Sequence, residues 1–194
     1  MNSNEISAAR VLELVSLLPN FSSKCSDSIQ QAAFIIAKAF KAGSKILICG
    51  NGGSAADSQH FAAEFVSAFS RDLKRPGLPA IALTVDTSVL TAYSNDFGFD
   101  GVFARQVEAL GKAGDILIVL STSGSSKNCI QAVQMAKLNG LSTIAFTRES
   151  GTMGSEVDVS IEVPSTNTQH IQECHMVAYH IITEIVEASL FGGN

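Results

Sequence analysis

Five short apolar runs alternate with amphipathic segments along this chain, and this alternation constrains the fold more than any other feature. The apolar runs lie at 46–49, 80–84, 116–120, 143–146 and 158–163, and segments with helical periodicity lie at 54–69, 101–110, 126–139 and 168–190. Several runs are rich in Ile and Val and show little polar alternation, which is typical of parallel strands buried on both faces. The sequence therefore predicts an α/β fold, with a three-layer, doubly wound, five-stranded parallel sheet.

Two extra helices are predicted before the first strand, at about 5–19 and 26–42. The first carries more apolar residues than a peripheral helix needs to cover a sheet that other helices already cover. We therefore expect residues 1–43 to contribute to oligomer contacts. Because no Pro/Ser-rich linker divides the chain, residues 1–194 are predicted to form a single domain.

The composition narrows the class of protein. A net charge of −5 argues against a nucleic-acid surface, and the short basic cluster 71–75 is predicted to be a solvated loop. The four cysteines are widely spaced, as expected of reduced core thiols rather than disulfides or a thiolate metal site. No apolar run approaches the roughly 18 residues of a membrane span, and the N-terminus lacks the layout of a secretion signal. We expect a cytoplasmic protein with neither a membrane nor a nucleic acid as partner.

A glycine-rich loop follows the first predicted strand, with the sequence Gly50-Asn51-Gly52-Gly53-Ser54. Glycines let a ligand approach the backbone closely, and Ser54 is predicted to cap the following helix. The loop matches neither a P-loop nor a dinucleotide-binding fingerprint. It favours ligand binding over a simple strand-to-helix turn, which remains the alternative.

A second loop of small polar residues follows the third predicted strand, with the sequence Ser121-Thr122-Ser123-Gly124-Ser125-Ser126. Successive hydroxyls and backbone N–H groups at the start of a helix form a neutral phosphate cradle. The alternative is a Ser/Thr-rich loop that only caps the helix. Together, the two loops predict a site for a phosphorylated small molecule beyond the carboxyl ends of the strands.

Two pairs of side chains provide chemistry near these loops. His60 and Glu64 share one helix face at an i, i+4 spacing, so they could bind a divalent metal or act as acid and base. Gln172 and His180, eight residues apart on the last helix, could border one cleft. Taken by themselves, these pairs also fit a surface contact and ordinary helix polarity. By itself, the dipeptide Asn95-Asp96 predicts a turn.

Taken in order, these motifs resemble the sugar isomerase (SIS) domain family and, within it, the phosphoheptose isomerases. The resemblance covers essentially the whole chain, and its motifs match in order and spacing. They are Gly50-Asn51-Gly52-Gly53-Ser54-Ala55-Ala56-Asp57, Gln59-His60-Phe61, Asn95-Asp96-Phe97-Gly98, Ser121-Thr122-Ser123-Gly124 and Ile171-Gln172-Glu173.

The resemblance implies a homotetramer of flavodoxin-like subunits that converts sedoheptulose 7-phosphate to D-glycero-D-manno-heptose 7-phosphate through an enediol. This is the first step toward activated heptose for surface glycans such as lipopolysaccharide. In such proteins Glu64 would be the general base and His180 the acid. One zinc ion per subunit would be held by His60, Glu64, Gln172 and His180. Substrate contacts would fall on Asn51, Gly52, Gly53, Glu64, Asn95, Asp96, Ser121, Thr122, Ser123, Ser126 and Gln172.

The chain departs from the pattern at two positions, with Ala68 and His170 where many relatives carry a cation. The closest alternative is a non-catalytic relative that binds the DnaA replication initiator on the same scaffold. That protein lacks the carboxylate and the final histidine, whereas Glu64 and His180 are both present here. A sugar-phosphate sensor is a third possibility, but no helix-turn-helix segment or basic region accompanies the motifs.

Overall fold

A parallel β-sheet with helices on both faces organises the chain. The computed structural model describes residues 2–192. The strands are β1 Ile46–Gly50, β2 Ala80–Ala82, β3 Ile116–Leu120, β4 Ser142–Arg148 and β5 Val159–Val163. The helices are α1 Ser3–Lys41, α2 Gly53–Val66, α3 Thr87–Phe97, α4 Val102–Leu110, α5 Lys127–Leu138 and α6 Thr168–Phe191, with short 3₁₀ helices at Phe99–Gly101 and Thr152–Glu156. All strand pairs are parallel, in the order β2-β1-β3-β4-β5.

Two apolar layers cover the sheet. Helices α1, α2 and α6 contribute to the core on one face, and α4 and α5 contribute to the core on the other. Strands β1 and β3 are buried along their whole length, whereas the edge strand β5 alternates between buried and half-buried residues. The four cysteines are free thiols buried in this core. The predicted three-layer, doubly wound architecture is therefore confirmed.

The two predicted ligand loops lie side by side at the carboxyl ends of two central strands of the sheet. Strands β1 and β3 are neighbours, and their last residues, Gly50 and Leu120, are paired in register. The chain leaves β1 toward β2 on one side and leaves β3 toward β4 on the other side. In such sheets a crevice opens between the two strands where the connections diverge, and ligands bind there. The fold therefore brings both loops to one crevice.

The N-terminal region is one helix of 39 residues, not the two helices that the sequence predicts. Pro19 lies inside it, where a proline removes one backbone hydrogen bond at a free-energy cost of about 3 kcal/mol. The next turns bury Phe21, Cys25 and Ile29 in the core, so packing outweighs that cost. Across the described part of the chain, no helix is both long enough and apolar enough to cross a membrane.

Helix α3 corrects the interpretation of Asn95 and Asp96 as a turn. Both residues lie near the end of this helix, which Asp86 caps by accepting a hydrogen bond from the N–H of Val89 at 3.0 Å. None of the residues of α3 is buried. Two of its apolar residues, three positions apart, are partly buried against the core, and this short stripe is a helical signal that the prediction overlooked. Strand β2 is also shorter than predicted and ends at Ala82.

The basic cluster 71–75 is only partly the solvated loop that the sequence predicts. Arg71 and Lys74 are exposed, but the side chain of Arg75 is fully buried. It pairs with Glu187 on α6, with 2.6 Å between Nε and Oε1. The partner lies 112 residues away in the sequence, so a local charge pattern could not identify the pair.

A buried histidine of α6 predicts how stability depends on pH. Burial lowers the pKa of His175 from its usual 6.5 to about 4, although its contact with the Thr147 carbonyl, at 3.3 Å, partly opposes this shift. Between these values the unfolded chain binds a proton that the folded chain does not. Stability that is fully present above about pH 6.5 is therefore lost as the pH falls toward 4. We expect the free energy of unfolding to fall by about 2 kcal/mol between about pH 7.5 and pH 5 from this residue.

Urea unfolding of metal-free protein at the two pH values measures this effect. The matched variant His175→Gln removes the titrating group, so its loss of stability between the two pH values should be smaller by the same amount. An equal pH dependence in both proteins would contradict the assignment to His175.

Candidate active site

The first loop leaves the start of α2 open to a ligand. The N-cap of α2 is Gly52, with a φ of 56° that favours glycine, and no side chain caps the helix. Ser54 lies inside the helix and is buried, so the prediction that it caps α2 is wrong. In contrast, side chains cap α1, α3 and α6. The first N–H groups of α2 are thus available for an anion or a polar ligand.

The second loop forms a cluster of hydroxyl groups at the start of α5. The Oγ atom of Ser121 lies 3.0 Å from that of Ser126 and 3.4 Å from that of Ser123. Gly124 turns the loop with a φ of 66° and packs so closely against Gly151 that a Cβ atom would clash. Thr122 is half-buried beside them. Ser126 is the N-cap of α5 and makes no side-chain capping bond, so the first N–H groups of α5 are left open to a ligand.

A pair of amides links the two loops. Asn51 and Asn128 exchange reciprocal side-chain hydrogen bonds of 2.9 and 2.8 Å, which join the end of β1 to the first turn of α5. Asn128 is buried, and it was not among the site residues predicted from the sequence. Its position two residues after the hydroxyl loop was the signal available, but only the fold brings it to Asn51.

Helices α2 and α6 bring three predicted metal ligands together. One ligand atom from each of His60, Glu64 and His180 lies within 4.8 Å of the other two. His60 Nε2 lies 2.8 Å from Glu64 Oε1, as expected for an i, i+4 pair, and the His60 and His180 rings are 5.2 Å apart. Two imidazoles and a carboxylate form a donor set that suits zinc.

Aromatic side chains surround this group. The hydroxyl of the fully buried Tyr179 lies 3.0 Å from His60 Nδ1, and it could orient that ring as hydrogen-bond partners of metal-bound histidines do. Phe69 contacts the other imidazole, His180, with 5.8 Å between ring centroids. Burial and the neighbouring His60 lower the pKa of His180, although Glu64 opposes this shift. The lowered pKa favours the neutral imidazole, which is the form that can ligate a metal.

Gln172 connects the first loop to α6. Its carboxamide lies against Gly53, where any Cβ would overlap it, and it donates a hydrogen bond of 2.9 Å to Asp57 Oδ2. Burial raises the pKa of the Asp57 carboxyl, while the bond from Gln172 and the nearby His60 oppose the shift. Because Asp57 accepts from the NH₂ group, the amide oxygen of Gln172 is free to face another partner.

Asn95 and Asp96 stand apart from this group. Both are exposed, and Asn95 donates to Asp96 at 2.8 Å. Within residues 2–192, no hydrogen bond joins either side chain to the two loops. Leu90, earlier on the same helix, lines a small cavity with Gly50, Asn51 and Gly52, so α3 borders the crevice without placing these two residues in it.

At the two positions where many relatives carry a cation, residues 68 and 170, this chain places no cation at the site. Ala68 is exposed just beyond α2. His170 is buried and directed at α1, with Nδ1 2.6 Å from Glu173 and Nε2 3.1 Å from both Glu13 and Arg10. Its hydrogen bonds with the two glutamates raise its pKa, partly against burial. The chain therefore uses this position to join α1 to α6.

Comparisons with known proteins identify the family of this chain. Residues 11–148 match the SIS domain family. Among curated relatives, the phosphoheptose isomerase of Roseiflexus sp. (strain RS-1) is 56% identical over 157 residues, covering 80% of this chain and 79% of that protein. The phosphoheptose isomerase of Akkermansia muciniphila is 46% identical over 184 residues, or 93% and 96% of the two chains. The chain belongs to the phosphoheptose isomerase family.

Solved structures agree with this membership. The phosphoheptose isomerase of Neisseria gonorrhoeae is 40% identical and superposes with a TM-score of 0.90, covering 96% of this chain and all of that one. The family and the fold that the motifs predicted are thus both confirmed. The comparisons give the DnaA-binding alternative no support.

Proposed function

We propose that this phosphoheptose isomerase family member converts sedoheptulose 7-phosphate to D-glycero-D-manno-heptose 7-phosphate, moving the carbonyl from C2 to C1. One observation carries the proposal: Glu64 and two histidines converge, from two helices, beside two loops that offer uncapped N–H groups and hydroxyls. Such a crevice has a binding end for an anion and a reacting end for proton transfer. These are the two functions that a sugar-phosphate isomerase requires.

The binding end would hold the phosphate. The hydroxyls of Ser121, Thr122, Ser123 and Ser126 and the N–H groups at the start of α5 offer hydrogen bonds to an anion without a fixed counter-charge. Asn51, Gly52 and Gly53 at the start of α2 would contact the sugar hydroxyls. Binding the phosphate away from the reacting carbons supplies energy that positions C1 and C2 near Glu64.

The reacting end would move one proton. Glu64 removes a proton from C1 of the ketose, which gives an enediol, and returns a proton to C2, which gives the aldose. His180 exchanges a proton with the substrate oxygens. Tyr179 holds the ring of His60, and the half-buried position of Glu64 strengthens its interaction with the substrate relative to bulk water.

His60, Glu64 and His180 fit zinc, and we propose Gln172 as the fourth ligand. Its amide oxygen, freed by the bond between its NH₂ group and Asp57, supports this role, although carboxamides are weak zinc ligands. Bound zinc would stabilise the negative charge that develops on the substrate oxygens. Asn95 and Asp96 are proposed as substrate contacts on the strength of the family motif alone.

A homotetramer is proposed from the surface of α1 and α6. These helices line a wide apolar groove that includes Leu18, Phe34, Val177 and Ile181, and Phe34 is 68% exposed. The N-terminal half of α1 exposes further apolar residues, among them Val11 and Leu12. Apolar patches of this kind mark interfaces between subunits. The cytoplasm is proposed as the compartment, in agreement with the buried free thiols.

Turnover of the substrate tests the function. The purified protein is incubated with sedoheptulose 7-phosphate, with and without added Zn²⁺, and the products are separated and identified. We expect an aldose phosphate to accumulate to a constant ratio with the ketose. No aldose phosphate under either condition would overturn the proposed reaction.

Replacing Ser121 with alanine tests the phosphate end. The variant loses a hydroxyl at the centre of the serine cluster. Because a hydrogen bond to a charged group contributes about 1.5–3 kcal/mol, KM for the phosphorylated ketose should rise about tenfold or more, with little change in kcat. Ser142→Ala is the control and should leave KM unchanged, because Ser142 is the first residue of β4 and lies at the end of the sheet away from the ligand loops. An unchanged KM in the Ser121 variant would place the phosphate elsewhere.

A further inference from the structure

The buried pair of Arg75 and Glu187 lies directly behind the proposed catalytic group. Neither side chain is more than 4% exposed, and Arg75 Nε donates to Glu187 Oε1 at 2.6 Å. Isolated surface ion pairs contribute little to stability, whereas separating a buried pair would leave an uncompensated charge in the core and is therefore strongly opposed. This pair joins the segment after α2 to helix α6.

Arg75 also holds the end of α2. Its guanidinium donates from Nη2 to the carbonyl oxygen of Glu64 at 2.7 Å and from Nη1 to that of Phe65 at 2.8 Å. These carbonyls belong to the last turn of the helix, where no intrahelical N–H is available to them. A cation at this end also interacts favourably with the helix dipole. The backbone of the proposed base is thus bound directly by a buried side chain.

Glu187 fixes the segment beside His180, on the other side of the proposed catalytic group. The same Oε1 atom accepts a second hydrogen bond, from the backbone N–H of Phe69 at 3.1 Å. Phe69 in turn contacts the ring of His180. His180 and Glu187 are seven residues, or about two turns, apart on α6, so they share one face of that helix. The ion pair therefore lies two turns below the cluster, between the helices that form it.

We propose that Arg75 and Glu187 are positioning residues that set the placement of Glu64 and His180 relative to each other. Arg75 fixes the backbone of the base, and Glu187 fixes the aromatic neighbour of the acid. Neither residue touches the substrate. The proposal rests on the proposed function of Glu64 and His180, and it adds a pair whose role the predicted ligand set does not include.

Three variants separate positioning from stability. Arg75→Lys keeps the charge, but its ammonium group cannot reach Glu187 and both carbonyls at once. Glu187→Gln keeps an acceptor for Phe69 and removes the charge, so it is the milder change. Lys45→Met is the control, because it breaks the partly buried ion pair with Asp115 at the far end of β1 and β3.

All proteins are assayed well below their unfolding midpoints. We expect Arg75→Lys to lower kcat at least about tenfold with KM changed less than about twofold, since misplacement of reacting groups affects the transition state more than substrate binding. Glu187→Gln should lower kcat in the same manner by a smaller factor, and Lys45→Met should lower only the midpoint. A folded Arg75→Lys protein with kcat within about twofold of the wild type would overturn the proposal.

A second measurement keeps the proposal independent of the reaction. The imidazole ¹⁵N and ¹H resonances of His60 and His180 are compared in metal-free wild type and in the three variants. Shifts in the Arg75 and Glu187 variants but not in Lys45→Met support positioning, and unshifted resonances overturn it. If the wild type does not isomerise the heptose phosphate, the proposed function fails, whereas these resonances still decide the role of the pair.

Discussion

Replacing Glu64 with glutamine is expected to lower turnover of sedoheptulose 7-phosphate by about a thousandfold or more. The substitution keeps the size and the polarity of the side chain but removes the group that accepts the proton from C1. General-base catalysis contributes about 10²–10⁴ to a rate, and the same carboxylate is also a proposed metal ligand. Steady-state kinetics with both proteins at saturating zinc measure the loss.

Two controls make this result specific. The unfolding midpoint of the metal-free protein and its native mass, which we expect to be that of a tetramer, should be the same in the variant and the wild type, because Glu64 is only half-buried and its backbone is held by Arg75. Gln59→Glu, which alters an exposed residue on the same helix, should retain activity. A Glu64→Gln enzyme with wild-type turnover would remove Glu64 from the role of base.

Removing the metal is expected to have the second largest effect. Treatment with a chelator should lower kcat at least about a hundredfold, because two imidazoles and a carboxylate would lose the cation that stabilises the developing charge on the substrate. Adding back Zn²⁺ should restore activity at one equivalent per subunit. Calorimetric titration of the metal-free protein with Zn²⁺ gives the stoichiometry without reference to turnover.

A pair of histidine variants on one helix tests which side chains hold the metal. His180→Asn should weaken Zn²⁺ binding about a hundredfold or more, since it removes one of three grouped donors. His175→Gln should bind Zn²⁺ as the wild type does, because His175 is buried in the core beside Thr147. Equal affinities in all three proteins would place the metal outside this group.

The sheet could be predicted from the sequence because each strand coincides with a short apolar run that is bounded by polar residues or turns. The long helices could be predicted from their apolar stripes. Helix α3 was not predicted, because its apolar residues are few and only partly buried and its start depends on one capping aspartate. The continuity of α1 through Pro19 could not be predicted either, since it depends on the packing of the next turns against distant parts of the chain.

The site was predictable to the extent that its parts are local. The pair His60 and Glu64 follows from helix periodicity, and the two loops follow from their composition. The convergence of His180 on that pair depends on tertiary packing, so it could be predicted only from the resemblance to the family. Long-range partners such as Asn128 and Glu187 were missed because nothing near them in the sequence identifies their contacts.

The proton transfer itself can be followed in heavy water. Isomerisation of sedoheptulose 7-phosphate in D₂O by the zinc-loaded wild type, analysed by NMR, should give aldose phosphate that carries deuterium at C2, because a proton held by Glu64 can exchange with solvent before it is returned. Glu64→Gln should give neither aldose nor deuterated ketose. Aldose phosphate formed by the Glu64 variant, or deuterium incorporated by that variant as fast as by the wild type, would contradict a mechanism in which this carboxylate moves the proton.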